Sequence, residues 1–147
     1  MRYQPTYDSR DPRYKTPYGA AASGTQVEFT LRPPRRECFC HASLTARFES
    51  RHNEILLMKM PWQGHELGHD LFSAALDTAG YVGLVWYSFR LERLDGRWTE
   101  LGPYQLTVYD GTEEIPTWFG EGVTYQIFPD RFHRSRVPDP EGRVGGR

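Results

Sequence analysis

The sequence has no hydrophobic run long enough to cross a membrane. A transmembrane helix needs about 20 consecutive apolar residues, and no stretch of the 147 residues approaches that length. The first eight residues also lack the apolar core of a signal peptide. We therefore expect no membrane partner and a cytoplasmic location.

Cysteine is scarce, with Cys38 and Cys40 as the two examples in the chain. On a strand, residues two positions apart point to one face with their Cα atoms about 6.5–7 Å apart, the upper limit for a disulfide. Two thiols are also too few for a structural zinc site, which takes four ligands. We predict buried free thiols, with a strained disulfide as the alternative.

The chain also has little net charge, −1 at neutral pH with a pI near 6.5. A nucleic-acid partner would require a strong positive balance, so we expect none. The length of 147 residues fits one domain of ordinary size. It is too short for a complete (β/α)8 barrel, which takes about 250 residues.

What the sequence has is a period of two. From Thr25 onward apolar and polar residues alternate, most clearly in residues 81–94, where Val85, Tyr87 and Phe89 oppose Trp86 and its polar neighbours. Asp-Gly at 95–96 is a hairpin turn signal, and we find no convincing helical period. The pattern predicts an all-β fold, an antiparallel β-sandwich of the immunoglobulin-like type over residues 25–110.

Residues 1–24 have no period and are rich in proline, glycine, tyrosine and serine. We interpret them as an extended lead-in, which Tyr7, Tyr14 and Tyr18 attach to the sheet, because an aromatic ring carries much apolar area. Residues 111–117 are a short polar linker after the sandwich.

The least generic stretch follows the linker. Residues 123–128, Val-Thr-Tyr-Gln-Ile-Phe, form an apolar run bounded by Gly122 and Pro129, which predicts a strand buried on both faces, as in a parallel sheet. The fifteen residues after Phe132 cannot build such a sheet. We therefore interpret residues 118–147 as the truncated start of an architecture that the chain does not contain.

This stretch resembles the start of the catalytic barrel in the α-amylase family of glycoside hydrolases, family 13, of the neopullulanase and maltogenic amylase type. The resemblance implies that it is the first strand of an incomplete TIM barrel and the turn after it. A small β-domain precedes the barrel in those enzymes as well, and residues 81–91 resemble an aromatic strand late in that domain. The residues of the motif, with structural roles implied, are Tyr125, Gln126, Phe128, Pro129, Asp130, Arg131 and Phe132.

The resemblance also implies a function. The family hydrolyses α-glucosidic bonds with two carboxylates, which lie in later barrel strands and have no counterpart here, so we expect no catalytic residue and no cofactor in this chain. We expect an N-terminal accessory domain, structural or α-glucan-binding, of an enzyme that degrades starch or maltodextrin. Its expected partners are the catalytic barrel of the same enzyme, α-glucan and a second copy of the chain.

Three tryptophans are candidates for carbohydrate binding: Trp62, Trp86 and Trp98. Exposed indole rings can stack on the flat C–H faces of sugars while polar neighbours bind the hydroxyls. The alternation places Trp86 on the outer face of its strand, Trp62 in a loop and Trp98 in a short edge strand. Packing against the barrel is the alternative for Trp86 and ordinary partial burial for the other two, and a free-standing carbohydrate-binding module is the alternative function.

His65-Glu66-Leu-Gly-His69 matches the His-Glu-x-x-His pattern of zinc peptidases, in which two histidines bind zinc and the glutamate is the general base. That mechanism requires a helix, because residues i and i+4 share a face there. Three residues in or just before this stretch disfavour a helix: Pro61, Gly64 and Gly68. We predict a loop without a metal site, and keep a zinc peptidase as the disfavoured alternative.

Overall fold

The computed structural model describes residues 5–112 of the chain. The linker beyond residue 112 and the barrel-start motif lie outside the described residues, so the incomplete-barrel interpretation stays a prediction. Within residues 5–112 the regular structure is all-β, apart from one 3₁₀ helix at Arg35–Glu37. No helix in this part of the chain is long and apolar enough to span a membrane.

Nine strands form in the described residues. They are β1 (Lys15–Thr16), β2 (Ala21–Ala22), β3 (Gln26–Leu31), β4 (Phe39–Phe48), β5 (Glu54–Lys59), β6 (Trp62–Glu66), β7 (His69–Asp77), β8 (Gly83–Arg93) and β9 (Trp98–Tyr109).

The strands form two sheets. The first sheet has the order β1-β3-β7-β6, and the second has the order β2-β9-β8-β4-β5. Neighbours are antiparallel except β2 and β9, which run parallel. The second sheet therefore brings together strands that are far apart in the sequence, such as β4 and β8.

The core lies between the two sheets, and the alternation in sequence explains it. Val27, Phe29 and Leu31 of β3 are fully buried, while their neighbours along the strand face away from the core. The Phe29 ring lies 4.8 Å from the ring of Tyr87 and 5.8 Å from that of Phe89, centroid to centroid. The two sheets thus pack face to face through aromatic side chains, consistent with the predicted sandwich.

The N-terminal lead-in contributes to this core. Tyr7 and Tyr14 are buried, whereas Tyr18 is 63% exposed. The Tyr7 ring packs 4.6 Å from Phe89 and its hydroxyl lies 2.8 Å from the hydroxyl of Tyr87. Two of the three tyrosines therefore attach the segment to the domain, and it also supplies the short strands β1 and β2.

After the Asp-Gly turn the sequence pattern predicts two strands, at residues 97–101 and 104–109, but in the structure both belong to strand β9. It is one strand of twelve residues, with a register shift between Tyr87 and Phe89 on the neighbouring β8. At Gly102, whose φ is +117°, an added Cβ would lie 3.0 Å from the Tyr87 carbonyl oxygen. Gly-Pro at 102–103 suggests a break, but the shift in β8 lets the strand continue.

The prediction of two buried cysteines is wrong. Both cysteines are free thiols, but Cys38 is exposed and Cys40 only half-buried. Cys38 ends the 3₁₀ helix with a φ of 53° and precedes β4, so it does not share the strand face assumed from the spacing. The Cys40 sulfur lies 3.4 Å from the backbone oxygen of Glu92 on β8.

Candidate carbohydrate-binding face

The outer face of the second sheet carries alternate residues of β8. Because Tyr87, Phe89 and Leu91 are buried in the core, the residues between them point outward. Arg90 lies opposite Ser43 on β4 and opposite Glu100 on β9. The face therefore presents polar side chains from several adjacent strands.

Trp98 lies at one side of this face, at the start of β9, and is 51% exposed. The Arg90 guanidinium lies 4.7 Å from the centre of the indole ring, within range of a cation–π interaction. Arg90 in turn forms an ion pair with Glu92, with 2.7 Å between Nε and Oε1. These contacts hold the ring of Trp98 in a defined orientation beside two charged groups.

Trp62 lies in β6 at the edge of the first sheet and is 55% exposed. Its Nε1 donates a hydrogen bond of 3.1 Å to Oδ1 of Asp70 on β7. The predicted loop is wrong here, because a register shift between Trp62 and Gly64 lets β6 pair with β7 despite the glycine. The pairing fixes the position of the indole.

Two adjoining depressions lie between the two tryptophans and share lining residues. A cleft of about 610 Å³ at the Trp62 side shares Ser43, Leu57, Arg90 and Glu92 with a smaller depression of about 310 Å³ at the Trp98 side. Together the two depressions extend across strands β9, β8, β4 and β5, a width of three interstrand spacings or about 14 Å. We call this surface the Trp62–Trp98 depression; it also includes His41 and Lys59.

Trp86, the third candidate, is not part of this depression. It lies on the outer face of β8 as the alternation predicts, between Arg47 and Gln105 of the neighbouring strands. The ring is half-buried, and its Nε1 donates a hydrogen bond of 3.1 Å to Oε2 of Glu49. The structure thus brings Trp62 and Trp98 to one surface and leaves Trp86 outside it.

The polar residues of the depression were not among the sequence-based candidates. Arg90 and Glu92 alternate with buried residues on β8, and this signal identifies their face. Ser43 and Lys59 are their neighbours only because β4 pairs with both β8 and β5. That pairing is not visible in the local sequence.

The His65-Glu66-x-x-His69 stretch forms a β-hairpin rather than the predicted loop. Glu66 lies opposite His69, and His65 opposite Asp70, on strands β6 and β7. Opposed residues share a face of the sheet and consecutive residues alternate, so the two histidines point to opposite faces. This arrangement does not reproduce the zinc-peptidase geometry, in which both imidazoles reach one ion.

The barrel-start motif, Tyr125, Gln126, Phe128, Pro129, Asp130, Arg131 and Phe132, lies outside the described residues. The structural role implied for these side chains stays a prediction.

No family model matches the chain. An amylopullulanase of Thermoanaerobacter thermohydrosulfuricus is 26% identical over 144 residues, covering 86% of this chain and 10% of that protein. An amylopullulanase of Thermoanaerobacterium saccharolyticum is 22% identical over 161 residues, covering 96% of this chain and 12% of that protein. An amylopullulanase of Thermoanaerobacterium thermosulfurigenes is 39% identical over 44 residues, covering 30% of this chain and 2% of that protein.

The chain is therefore distantly related, over most of its length, to amylopullulanases, which are α-amylase-family enzymes. It spans about a tenth of the length of the relatives that it matches over most of its own length. These relatives do not bear on the neopullulanase and maltogenic amylase subtype, which stays a prediction. Among solved structures, CopC of Methylosinus trichosporium OB3b aligns with a TM-score of 0.41 at 17% identity, covering 69% of this chain and 94% of that chain.

Proposed function

We propose that this chain provides an immunoglobulin-like accessory domain of a starch-degrading glycoside hydrolase and that this domain binds α-glucan in the Trp62–Trp98 depression. The distant relation to amylopullulanases supports the class of the parent enzyme. In this proposal hydrolysis is carried out by a catalytic barrel elsewhere in the full-length enzyme, as the implied carboxylate mechanism requires.

The strand order supports the immunoglobulin-like type. Immunoglobulin domains combine a sheet of order A-B-E-D with a sheet of order G-F-C, which some members extend beyond C. With the two-residue β2 set aside, lettering the other strands in chain order as A, B, C, C′, D, E, F and G gives A-B-E-D for the first sheet. The second sheet is then G-F-C-C′, with β2 beside G at its edge. The connections therefore agree with that topology.

The observation that carries the binding proposal is the pair of exposed indoles at the two ends of the Trp62–Trp98 depression. Each ring has a polar partner that orients it, Asp70 for Trp62 and Arg90 for Trp98. Between them lie hydroxyl, carboxylate and cationic groups that can bind sugar hydroxyls. An apolar platform with a few placed polar groups is the usual composition of a small-ligand site.

Native affinity electrophoresis in gels containing amylopectin tests the proposal. We expect the chain to be retarded by the polysaccharide, and Trp62→Ala and Trp98→Ala each to lose most of the retardation. Trp86→Ala and Tyr18→Ala are matched controls, because both remove aromatic rings outside the depression, and we expect both to be retarded like the unmodified chain. Migration of the unmodified chain that is unchanged by amylopectin would overturn the binding proposal and favour a purely structural domain.

A further inference from the structure

Strand β5 is an edge strand with an exposed apolar middle. It pairs with β4 on one side, and within residues 5–112 no strand pairs with its other side. Ile55, Leu56 and Leu57 are 64%, 41% and 69% exposed. An edge of this kind presents free backbone hydrogen-bonding groups together with apolar side chains, and so forms a template for another strand.

The other sheet edges in the described part of the chain carry features that discourage such pairing. Strands β1 and β2 are two residues long. Strand β6 shifts register at Gly64 and carries His65 and Glu66, and β9 contains Pro103, which has no N–H to donate to another strand. Short edges, bulges, prolines and charged side chains are the devices by which native proteins protect edges. Strand β5 has none of them between Glu54 and Lys59.

We propose that β5 pairs with β5 of a second copy of the chain, antiparallel and with the two-fold axis at Leu56. In this register Ile55 of each copy lies opposite Leu57 of the other on the outer face, because opposed residues share a face. The two most exposed apolar side chains of the strand, Ile55 and Leu57, then form two such contacts across the axis. Because its exposed apolar residues lie in the middle, strand β5 is complementary to β5 of a second copy.

The charges at the ends of β5 favour the antiparallel arrangement. Glu54 begins the strand and Lys59 ends it. In the antiparallel register Glu54 lies opposite Met58 and Lys59 opposite Asn53 of the other copy, whereas parallel in-register pairing would place like charges opposite each other, which is destabilising.

One strand pair buries less surface than the roughly 1,600 Å² of a standard stable interface. We therefore expect a monomer–dimer equilibrium that depends on concentration. The dimer joins the second sheets of two copies and so carries two Trp62–Trp98 depressions. Because Leu57 lines both parts of the depression, Ile55 of the second copy lies against a residue of the proposed glucan site. Linked sites on a polymeric ligand raise the overall affinity above that of either site. This last consequence rests on the proposed function, whereas the dimer itself does not.

Sedimentation velocity of the full chain over a wide concentration range tests the dimer. We expect the sedimentation coefficient to rise with concentration for the unmodified chain and to stay at the monomer value for Ile55→Lys. Ile55 is exposed and lines neither depression, so this variant leaves the proposed glucan site intact. Leu94→Lys is the matched control, because Leu94 is 88% exposed in the turn after β8, and it should dimerise like the unmodified chain.

A chain that stays monomeric at every concentration would overturn the proposal, as would an Ile55→Lys variant that dimerises like the unmodified chain. Affinity electrophoresis of Ile55→Lys separates the two proposals, because retardation of a monomeric variant shows glucan binding without the dimer.

Oxidative cross-linking tests the register in a Cys38→Ser and Cys40→Ser background. Because residue 56 lies at the two-fold axis, the cysteines that Leu56→Cys introduces in the two copies lie opposite each other, with Cα atoms about 4.5–5.5 Å apart. This distance is within the range of a disulfide, about 4.4–6.8 Å. We expect this variant to form covalent dimers. In Leu57→Cys the two Cα atoms lie about 8 Å apart, from the strand rise and spacing, so we expect little cross-linking. Cross-linking through position 57 but not position 56 would contradict the register.

Discussion

At the scale of single residues, a pair of tyrosine hydroxyls lies hydrogen-bonded in the core. Tyr7 and Tyr87 share one hydrogen bond of 2.8 Å between a segment near the N-terminus and β8. Burial raises the pKa of Tyr87 to about 12, and it raises the pKa of Tyr7 as well. The two phenols are therefore neutral in the folded domain and depend on each other for hydrogen bonding.

Removing both hydroxyls should cost less than the two single removals added together. In Tyr7→Phe the hydroxyl of Tyr87 loses its partner, and an unsatisfied buried polar group costs about 1–3 kcal/mol. We expect that decrease in the free energy of unfolding, measured by urea denaturation. The double variant Tyr7→Phe, Tyr87→Phe should be less destabilised than the sum of the single variants. Additive effects would contradict the coupling.

The same pair predicts a loss of stability in alkali. Below the ordinary tyrosine pKa of 10.0, both folded and unfolded states keep the phenolic protons, and the contribution to stability is constant. Above it, the unfolded state releases protons that the folded state retains, so stability falls with rising pH. We expect the free energy of unfolding to decrease between pH 10 and about 12, the raised pKa of Tyr87. Denaturation curves across that range measure it.

The control for this pH dependence is a tyrosine that is already exposed. Tyr87→Phe should flatten the decrease, whereas Tyr18→Phe should leave it unchanged, because Tyr18 is 63% exposed. Equal slopes for the two variants would mean that the buried pair does not cause the alkaline destabilisation.

At the scale of elements, the β6–β7 hairpin contains an unfavourable turn residue. Leu67 and Gly68 connect the strands with φ of 47° and 79°, the pattern of a type I′ turn, which favours Asn-Gly. Leu67 is 84% exposed and gains little from packing. The left-handed conformation costs a branched side chain about 1–2 kcal/mol, and asparagine adopts it more readily. The hairpin thus forms despite its first turn residue.

We therefore expect Leu67→Asn to stabilise the domain. The free energy of unfolding should rise by about 1 kcal/mol, because asparagine relieves most of the left-handed penalty, and the melting temperature should rise by several degrees. Thermal denaturation measures the change. Leu94→Asn is the control, an exposed leucine in another turn without a positive φ, and we expect no stabilisation there. Equal effects of the two substitutions would contradict the turn argument.

At the scale of the whole molecule, the candidate binding face depends on strand order. Ser43, Arg90 and Trp98 come from three strands that are adjacent only because β8 lies between β4 and β9. Trp62 reaches the same depression from the other sheet. The proposed dimer belongs to this scale too, because β5 is an edge only once the sheet has formed.

The three tryptophans show how much of the candidate site could be predicted from the sequence. Aromatic character and alternation were sufficient to select Trp62 and Trp98, and to place Trp86 on the outer face of its strand. They did not separate Trp86 from the other two, because its bond to Glu49 and its distance from the depression follow from contacts between distant segments. Polar residues of the depression such as Ser43 and Lys59 were not predicted for the same reason.

The sequence by itself determined the all-β class and the inward residues of β3 and β8, because the side chains of a strand alternate with a period that is visible locally. It also determined the resemblance to α-amylase-family enzymes, which the distant relation to amylopullulanases supports. Only the tertiary structure decided which strands are neighbours, which edges stay open and which tryptophans share a surface. Those features depend on long-range pairing and its register, and a shift of one residue would turn every side chain to the other face.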